Sequence, residues 1–250
     1  MKVKSIVALL GLSASLGVAA APLQPNSPTP SVINPAPGSE GSLQSIADDL
    51  FGTGHINVVT DQSSAGQWKS ATPGSSSTIP TLVAEFTANE STQVFGIWFG
   101  TDTNSILSYD LLTGAAAAGD NAAISFSGNT LNVGSSIVAN CVTKVHCGSI
   151  TDARVNSDAF GFYFRPSANS STFYSLDQLN PGPRQDRFVA FQDGSTTNWL
   201  FAYEDGTDFD YNDMAVKVES INAVPEPETY AMMLAGLGAM GFMARRRKSR

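Results

Sequence analysis

Arg187-Phe-Val-Ala-Phe-Gln-Asp-Gly-Ser-Thr-Thr-Asn-Trp-Leu-Phe-Ala-Tyr203 decides the fold. Two short runs rich in Phe, Val, Leu and Trp, Arg187 to Gln192 and Asn198 to Tyr203, flank Asp193-Gly194. Asp-Gly is a hairpin signal because glycine accepts positive φ, so the two runs read as antiparallel neighbours. The same vocabulary recurs upstream in Thr81 to Phe86, Gln93 to Phe99, Ala122 to Phe126 and Ala159 to Phe164, and downstream in Met214 to Ile221. Clusters of Gly, Asn, Asp and Ser separate these runs, with no helical period between them. Many short strands without crossover helices predict a mainly β, antiparallel sandwich or jelly-roll-like single domain over residues 42–223. One short helix opens it, with Ser42 as N-cap, Leu43, Ile46, Leu50 and Phe51 at helical spacing, and Gly52 as the stop. Thr113 to Asp120 holds four alanines, but its flanking glycines favour a loop over a helical turn.

Outside the domain the sequence changes character at both ends. Lys2 and Lys4 precede an apolar stretch from Ile6 to Ala19, and Val18 and Ala20 suit the −3 and −1 positions of signal peptidase. Residues 1–20 therefore read as a signal peptide. Pro22 to Gly41 carries six of the 13 prolines together with Ser, Asn and Thr. Residues 21–41 read as a Pro-rich linker, disordered because it cannot bury a core.

Residues 224–250 begin with Val224-Pro-Glu-Pro-Glu228, continue as an apolar run from Tyr230 to Ala244, and end in Arg245, Arg246, Arg247, Lys248 and Arg250 around Ser249. As a helix the apolar run spans roughly 22 Å, short of a hydrocarbon core of about 30 Å. Its four Met and three Gly weaken it further. The basic end stays cytoplasmic by the positive-inside bias, which leaves Pro225, Glu226 and Pro227 at the outer face. The tail resembles the PEP-CTERM signal of Gram-negative bacteria, in which the same three parts follow in the same order. That resemblance implies transient membrane association through the tail, cleavage near Glu226 by an exosortase, and delivery to the cell surface or the exopolysaccharide matrix. An ordinary C-terminal membrane anchor is the alternative.

Seven of the 14 Lys and Arg lie in the two terminal segments, whereas all 22 Asp and Glu lie between Glu40 and Glu228. Up to the cleavage site seven basic residues face 22 acidic ones, a net charge near −15, slightly less negative where Glu226 and Glu228 leave with the tail. Such a surface repels nucleic acid and anionic lipid and favours cations. Cys141 and Cys147 are the only cysteines. In an exported chain so close a pair reads as a local disulfide that pins a turn. His146 lies between them, but no second Cys and His pair completes a zinc site.

The densest chemistry is Glu204-Asp205-Gly206-Thr207-Asp208-Phe209-Asp210-Tyr211-Asn212-Asp213, with five carboxylates and no Lys or Arg. Hard oxygen donors in that number suit Ca²⁺, with Glu204, Asp205, Asp208, Asp210, Asn212 and Asp213 as candidate ligands. The competing reading is a solvated turn whose Asp and Asn side chains cap their own backbone while Phe209 and Tyr211 point inward. Asp208, Asp210 and Asn212 fit the start of an EF-hand loop, with Glu219 in the final ligand position. That match fails, because Asp213 stands where the loop needs Gly and the strand after it carries Glu219 roughly 23 Å beyond Asn212.

A second resemblance rests on Glu204-Asp205 and the block Asp208, Asp210, Tyr211, Asn212 and Asp213. With Ser42-Leu43-Gln44, Phe95-Gly96-Ile97-Trp98, Phe160-Gly161-Phe162-Tyr163, Tyr174-Ser175 and Leu179-Asn180, these are similar to an uncharacterised β domain found upstream of PEP-CTERM tails. It implies location and calcium affinity but no reaction.

Two histidines, His55 and His146, are too few for a His-rich centre, and neither a G-x-S-x-G elbow nor an H-E-x-x-H helix is present. The chain therefore reads as no enzyme, and as a structural or adhesive component meeting exopolysaccharide or other surface components. The alternatives are a carbohydrate-binding module, with Trp68 placed to stack on sugar rings among Gly, Ser and Lys, and a polysaccharide hydrolase.

Overall fold

The computed structural model describes residues 23–24, 26, 31–34, 40–71, 78–85, 92–114, 116–134, 145–167, 169–182, 186–225, 235–237, 240 and 243. The signal peptide, Cys141, Glu226 and Pro227 lie outside the described residues. Helix α1 (Leu43–Phe51) leads into β1 (Gln62–Ser63), β2 (Trp68–Ser70), β3 (Ile79–Glu85), β4 (Val94–Phe99) and β5 (Leu107–Thr113). Next come β6 (Ala123–Ser127), β7 (Thr130–Gly134), β8 (Gly148–Thr151), β9 (Gly161–Arg165) and β10 (Phe173–Tyr174). A 3-10 turn at Asp177–Leu179 precedes β11 (Phe188–Gln192), β12 (Trp199–Tyr203), β13 (Met214–Glu219) and β14 (Ile221–Ala223).

A five-stranded sheet of order β1-β11-β12-β13-β3 faces a four-stranded sheet of order β10-β9-β4-β5, with every pairing antiparallel. The hairpin read from Asp193-Gly194 is β11–β12, with Phe188 opposite Tyr203 and Gln192 opposite Trp199. Its loop is longer than the two-residue turn, because the Asp193 N–H donates to Asn198 O at 3.0 Å and Gly194 takes φ 57°. Alternation then sorts the side chains. Phe188, Ala190, Trp199, Phe201, Tyr203, Val216, Val218 and Leu82 pack inward against Phe95, Ile97, Phe99, Phe162 and Phe164. Val189, Phe191, Leu200, Ala202 and Ala215 face the other way, where Leu43, Ile46 and Ala47 of α1 cover them. The sheet buried on both faces explains why its strands read as near-continuous apolar runs.

Helix α1 forms as its spacing predicts: the Ser42 hydroxyl accepts the Ser45 N–H, and Gly52 ends it at φ 98°. The flanks of the sandwich close through smaller units. β6, β7 and β8 form a meander that bridges β3 at Thr78–Ile124 and Thr81–Asn121. The run Met214 to Ile221 breaks at Ser220, which takes φ 64°, so β14 leaves the large sheet and pairs with β2.

Two expectations need correction. Trp68 is fully buried, packed among Phe162, Phe188, Trp199 and Phe201, so it cannot stack on a sugar. Its polar neighbours mark a short strand crossing the end of the core, which local composition cannot reveal. The linker also does not stand free at its described residues. The Leu23 N–H donates to Thr101 O, the Asn26 side-chain amide to Ser175 O, and the Ser31 N–H to Gln62 Oε1. Among the described residues no helix is long and apolar enough to cross a membrane.

Candidate functional site

The acidic segment is the ten-residue connection between β12 and β13, closed at its base by the Tyr203–Met214 pair. Phe209 and Tyr211 both take left-handed φ values, 58° and 54°, a costly state for residues with a Cβ. The conformation swings both rings inward to pack against each other at 6.3 Å beneath α1. Asp208 and Asp210 are left on the opposite side, with Glu204. One carboxylate oxygen from each of Glu204, Asp208 and Asp210 lies within 4.8 Å of the others.

The six sequence-derived ligand candidates therefore separate. Asp213 accepts the Asp205 N–H at 2.6 Å, a bond that staples the two ends of the turn. Asn212 turns away, and its side-chain amide donates to Gly41 O at 3.1 Å. The Glu204 carboxylate accepts N–H groups from Gly206 at 2.7 Å and Tyr211 at 3.4 Å. Asp210 accepts the Asn212 N–H on Oδ1, while its Oδ2 is buried and has no hydrogen-bond partner among the described residues. Glu219 lies in β13, paired with Lys217 at 2.7 Å, which agrees with the rejected EF-hand match.

Burial sets the electrostatics. Glu204 is 0% exposed and Asp210 2%, whereas Asp208 is open to solvent. Desolvation, with the Asp208 charge adding to it, pushes the Glu204 carboxyl up to about 7. Asp213 rises to about 8, again mainly through burial. Among the described residues, no Lys or Arg forms an ion pair with Glu204, Asp208 or Asp210. The basic side chain on the turn, Arg187, donates to Gly206 O and lies over the rings of Phe173 and Phe209 at 5.3 Å.

Sequence reading missed the partner residues Asn34 and Gly41. The Asn34 N–H donates to Phe209 O at 2.8 Å and its side-chain amide to Asp208 O. Those residues lie in the Pro-rich stretch, and nothing in a polar, irregular sequence signals such a contact. Elsewhere, His55 lies 3.5 Å from Asp193, and His146 packs on Tyr109 at 5.0 Å. Cys147 is partly buried against the main core.

Comparison with known proteins adds one finding at the other end of the domain. Residues 223–248 match the PEP-CTERM protein-sorting motif, which begins at the last residue of β14. No curated protein and no solved structure matches the chain. The tail is thus a sorting motif, and the chain carrying it is exported and processed at the membrane by an exosortase.

Proposed function

We propose that the chain is a structural or adhesive component of the cell surface or exopolysaccharide matrix, and that it holds calcium there. The supporting observation is the junction between domain and tail. β14 is hydrogen-bonded to β2 up to Ala223, and the Val224 N–H donates to Gln67 O at 3.0 Å, one residue before Pro225. A folded β domain is therefore the cargo that the sorting motif delivers. The reading has no catalytic step. The carbohydrate-binding alternative loses its aromatic platform, because Trp68, Trp98 and Trp199 are all buried.

Glu226→Ala tests the sorting half. The variant should accumulate at full mass in the membrane fraction while the wild type appears outside at reduced mass. A processed mass for the variant equal to that of the wild type refutes exosortase processing near Glu226. Matrix cohesion and surface attachment should fall in cells producing only the variant, and unchanged values sink the structural role.

A further inference from the structure

The folded domain and the sorting motif overlap in sequence. The motif begins at residue 223, the last residue of β14, and the Val224 N–H still donates to Gln67 O at 3.0 Å. Pro225 is the first exposed residue after the strand. A bond cut within Pro225, Glu226 and Pro227 therefore lies no more than about three residues, roughly 10 Å of extended chain, beyond a residue bonded into the fold. A protease cleft holds its substrate extended and pairs with main-chain N–H and C=O groups, the chemistry of strand addition. The residues just upstream of the tripeptide have committed those groups to β2, with Ala223 opposite Trp68, Asn222 opposite Lys69 and Val224 on Gln67. One backbone edge cannot serve both partners.

The strand is held unevenly along its length. Ile221 is 0% exposed, its N–H donates to Thr197 O at 3.2 Å, and its carbonyl accepts the Trp199 indole N–H at 3.2 Å. Asn222, Ala223 and Val224 are only partly buried. Opening from the C-terminal end therefore breaks few contacts until it reaches Ile221.

We infer that β14 is a latch on the chain's own processing: Asn222, Ala223 and Val224 must leave β2 before the tail is cut, and Ile221 is where that opening stops. The inference rests on exosortase processing of the tail and adds what the domain contributes to that step. Cleavage then follows the population of the opened strand, as proteolysis does when reclosing outpaces cutting.

The test uses the full-length precursor, purified in mild detergent from cells unable to process it and incubated with membranes of producing cells. Initial rates of conversion to the reduced mass are read by mass spectrometry. Lys69→Cys with Asn222→Cys locks the latch, since directly opposite residues have Cα atoms about 4.5–5.5 Å apart, within disulfide range. Oxidised, this chain should be cut at least tenfold more slowly than the parent, and dithiothreitol should restore its rate while leaving the parent's unchanged. Inserting Gly-Ser-Gly-Ser between Val224 and Pro225 adds roughly 13 Å of free chain and should return the oxidised double variant to the parent's rate. In the opposite direction, Asn222→Pro removes the N–H two residues before Val224, which faces β2 by the same alternation, and should quicken cutting severalfold. A parent that is never cut overturns exosortase processing and the latch with it. Equal rates for the parent and the oxidised double variant reject the latch and leave processing intact. An oxidised double variant that stays slow despite the spacer also rejects it, because the bond then acts elsewhere than on access to the tail.

Discussion

Tyr163 lies directly across the strand pair from Gly96, with its ring filling the place a Cβ would take: a methyl at Gly96 would sit 2.2 Å from the ring carbon. Two rungs along, Gly161 faces Trp98 in the same way, at 2.3 Å. The outer face of β4 and β9 is thus built as a reciprocal pair of glycine and aromatic. Ser175 completes it, donating to Gly66 O at 2.8 Å while accepting the Phe162 N–H at 3.0 Å and the Trp98 indole N–H at 3.3 Å.

Gly96→Ala and Gly161→Ala should each destabilise the domain by about 1–3 kcal/mol or more, the usual range for overpacking a core. Both rings are walled in and cannot give way cheaply. Thermal unfolding monitored by near-ultraviolet dichroism reads the effect. Melting points within one degree of the parent would mean that the rings relax and the pairing is incidental.

How much of this was legible in the sequence depends on where each strand sits. The runs around Phe95-Gly96-Ile97-Trp98 and Phe160-Gly161-Phe162-Tyr163 announced themselves because those strands are buried on both faces. β5 and β8 did not, since they lie at sheet edges with polar or exposed residues among them, and neither did β7, the middle strand of its meander, whose buried residues alternate with polar ones. Gly128-Asn129 was a readable hairpin signal, with Ser127 paired to Thr130 across it and Gly128 at φ 56°. In the acidic turn, composition indicated the chemistry but not the selection. Only the left-handed backbone at Phe209 and Tyr211 separates Glu204, Asp208 and Asp210 from Asp205 and Asp213.

Stability should fall as pH rises from about 4 to 8. Burial, aided by the charge of Asp186, pushes the Asp177 carboxyl up to about 7. The folded chain therefore holds a proton that the unfolded chain releases near pH 4, so this stabilisation is complete below pH 4 and lost as pH passes 7. Glu204 and Asp213, also raised, act with the same sign. Asp177→Asn keeps a neutral amide in place, so it should raise the melting point at pH 8 by a few degrees and flatten the slope. A slope identical to the parent's assigns the pH dependence elsewhere.

The last strand should matter more than its three residues suggest. Ile221 is fully buried, and its carbonyl accepts the Trp199 indole N–H at 3.2 Å. Ile221→Ala should cost about 2–5 kcal/mol. Ending the chain after Ser220 should cost at least as much, whereas ending it after Val224 should leave the melting point of the domain unchanged. Equal stability for the two truncations would show that β14 contributes nothing.

The expected bond between Cys141 and Cys147 is checked by thiol titration of the exported protein under denaturing conditions, which should find none. Cys147→Ser should cost only about 2 kcal/mol, since so short a loop restricts the unfolded chain little. Two free thiols in the native export product contradict the bond.

Because β13 runs from the acidic turn at Met214 to the tail side at Glu219, six residues at about 3.3 Å each set these two features roughly 20 Å apart. Val224, already inside the sorting motif, is still hydrogen-bonded to Gln67, so the ordered domain reaches into the motif's first residues. The acidic turn thus lies at the end of β13 away from the point where the sorting motif departs.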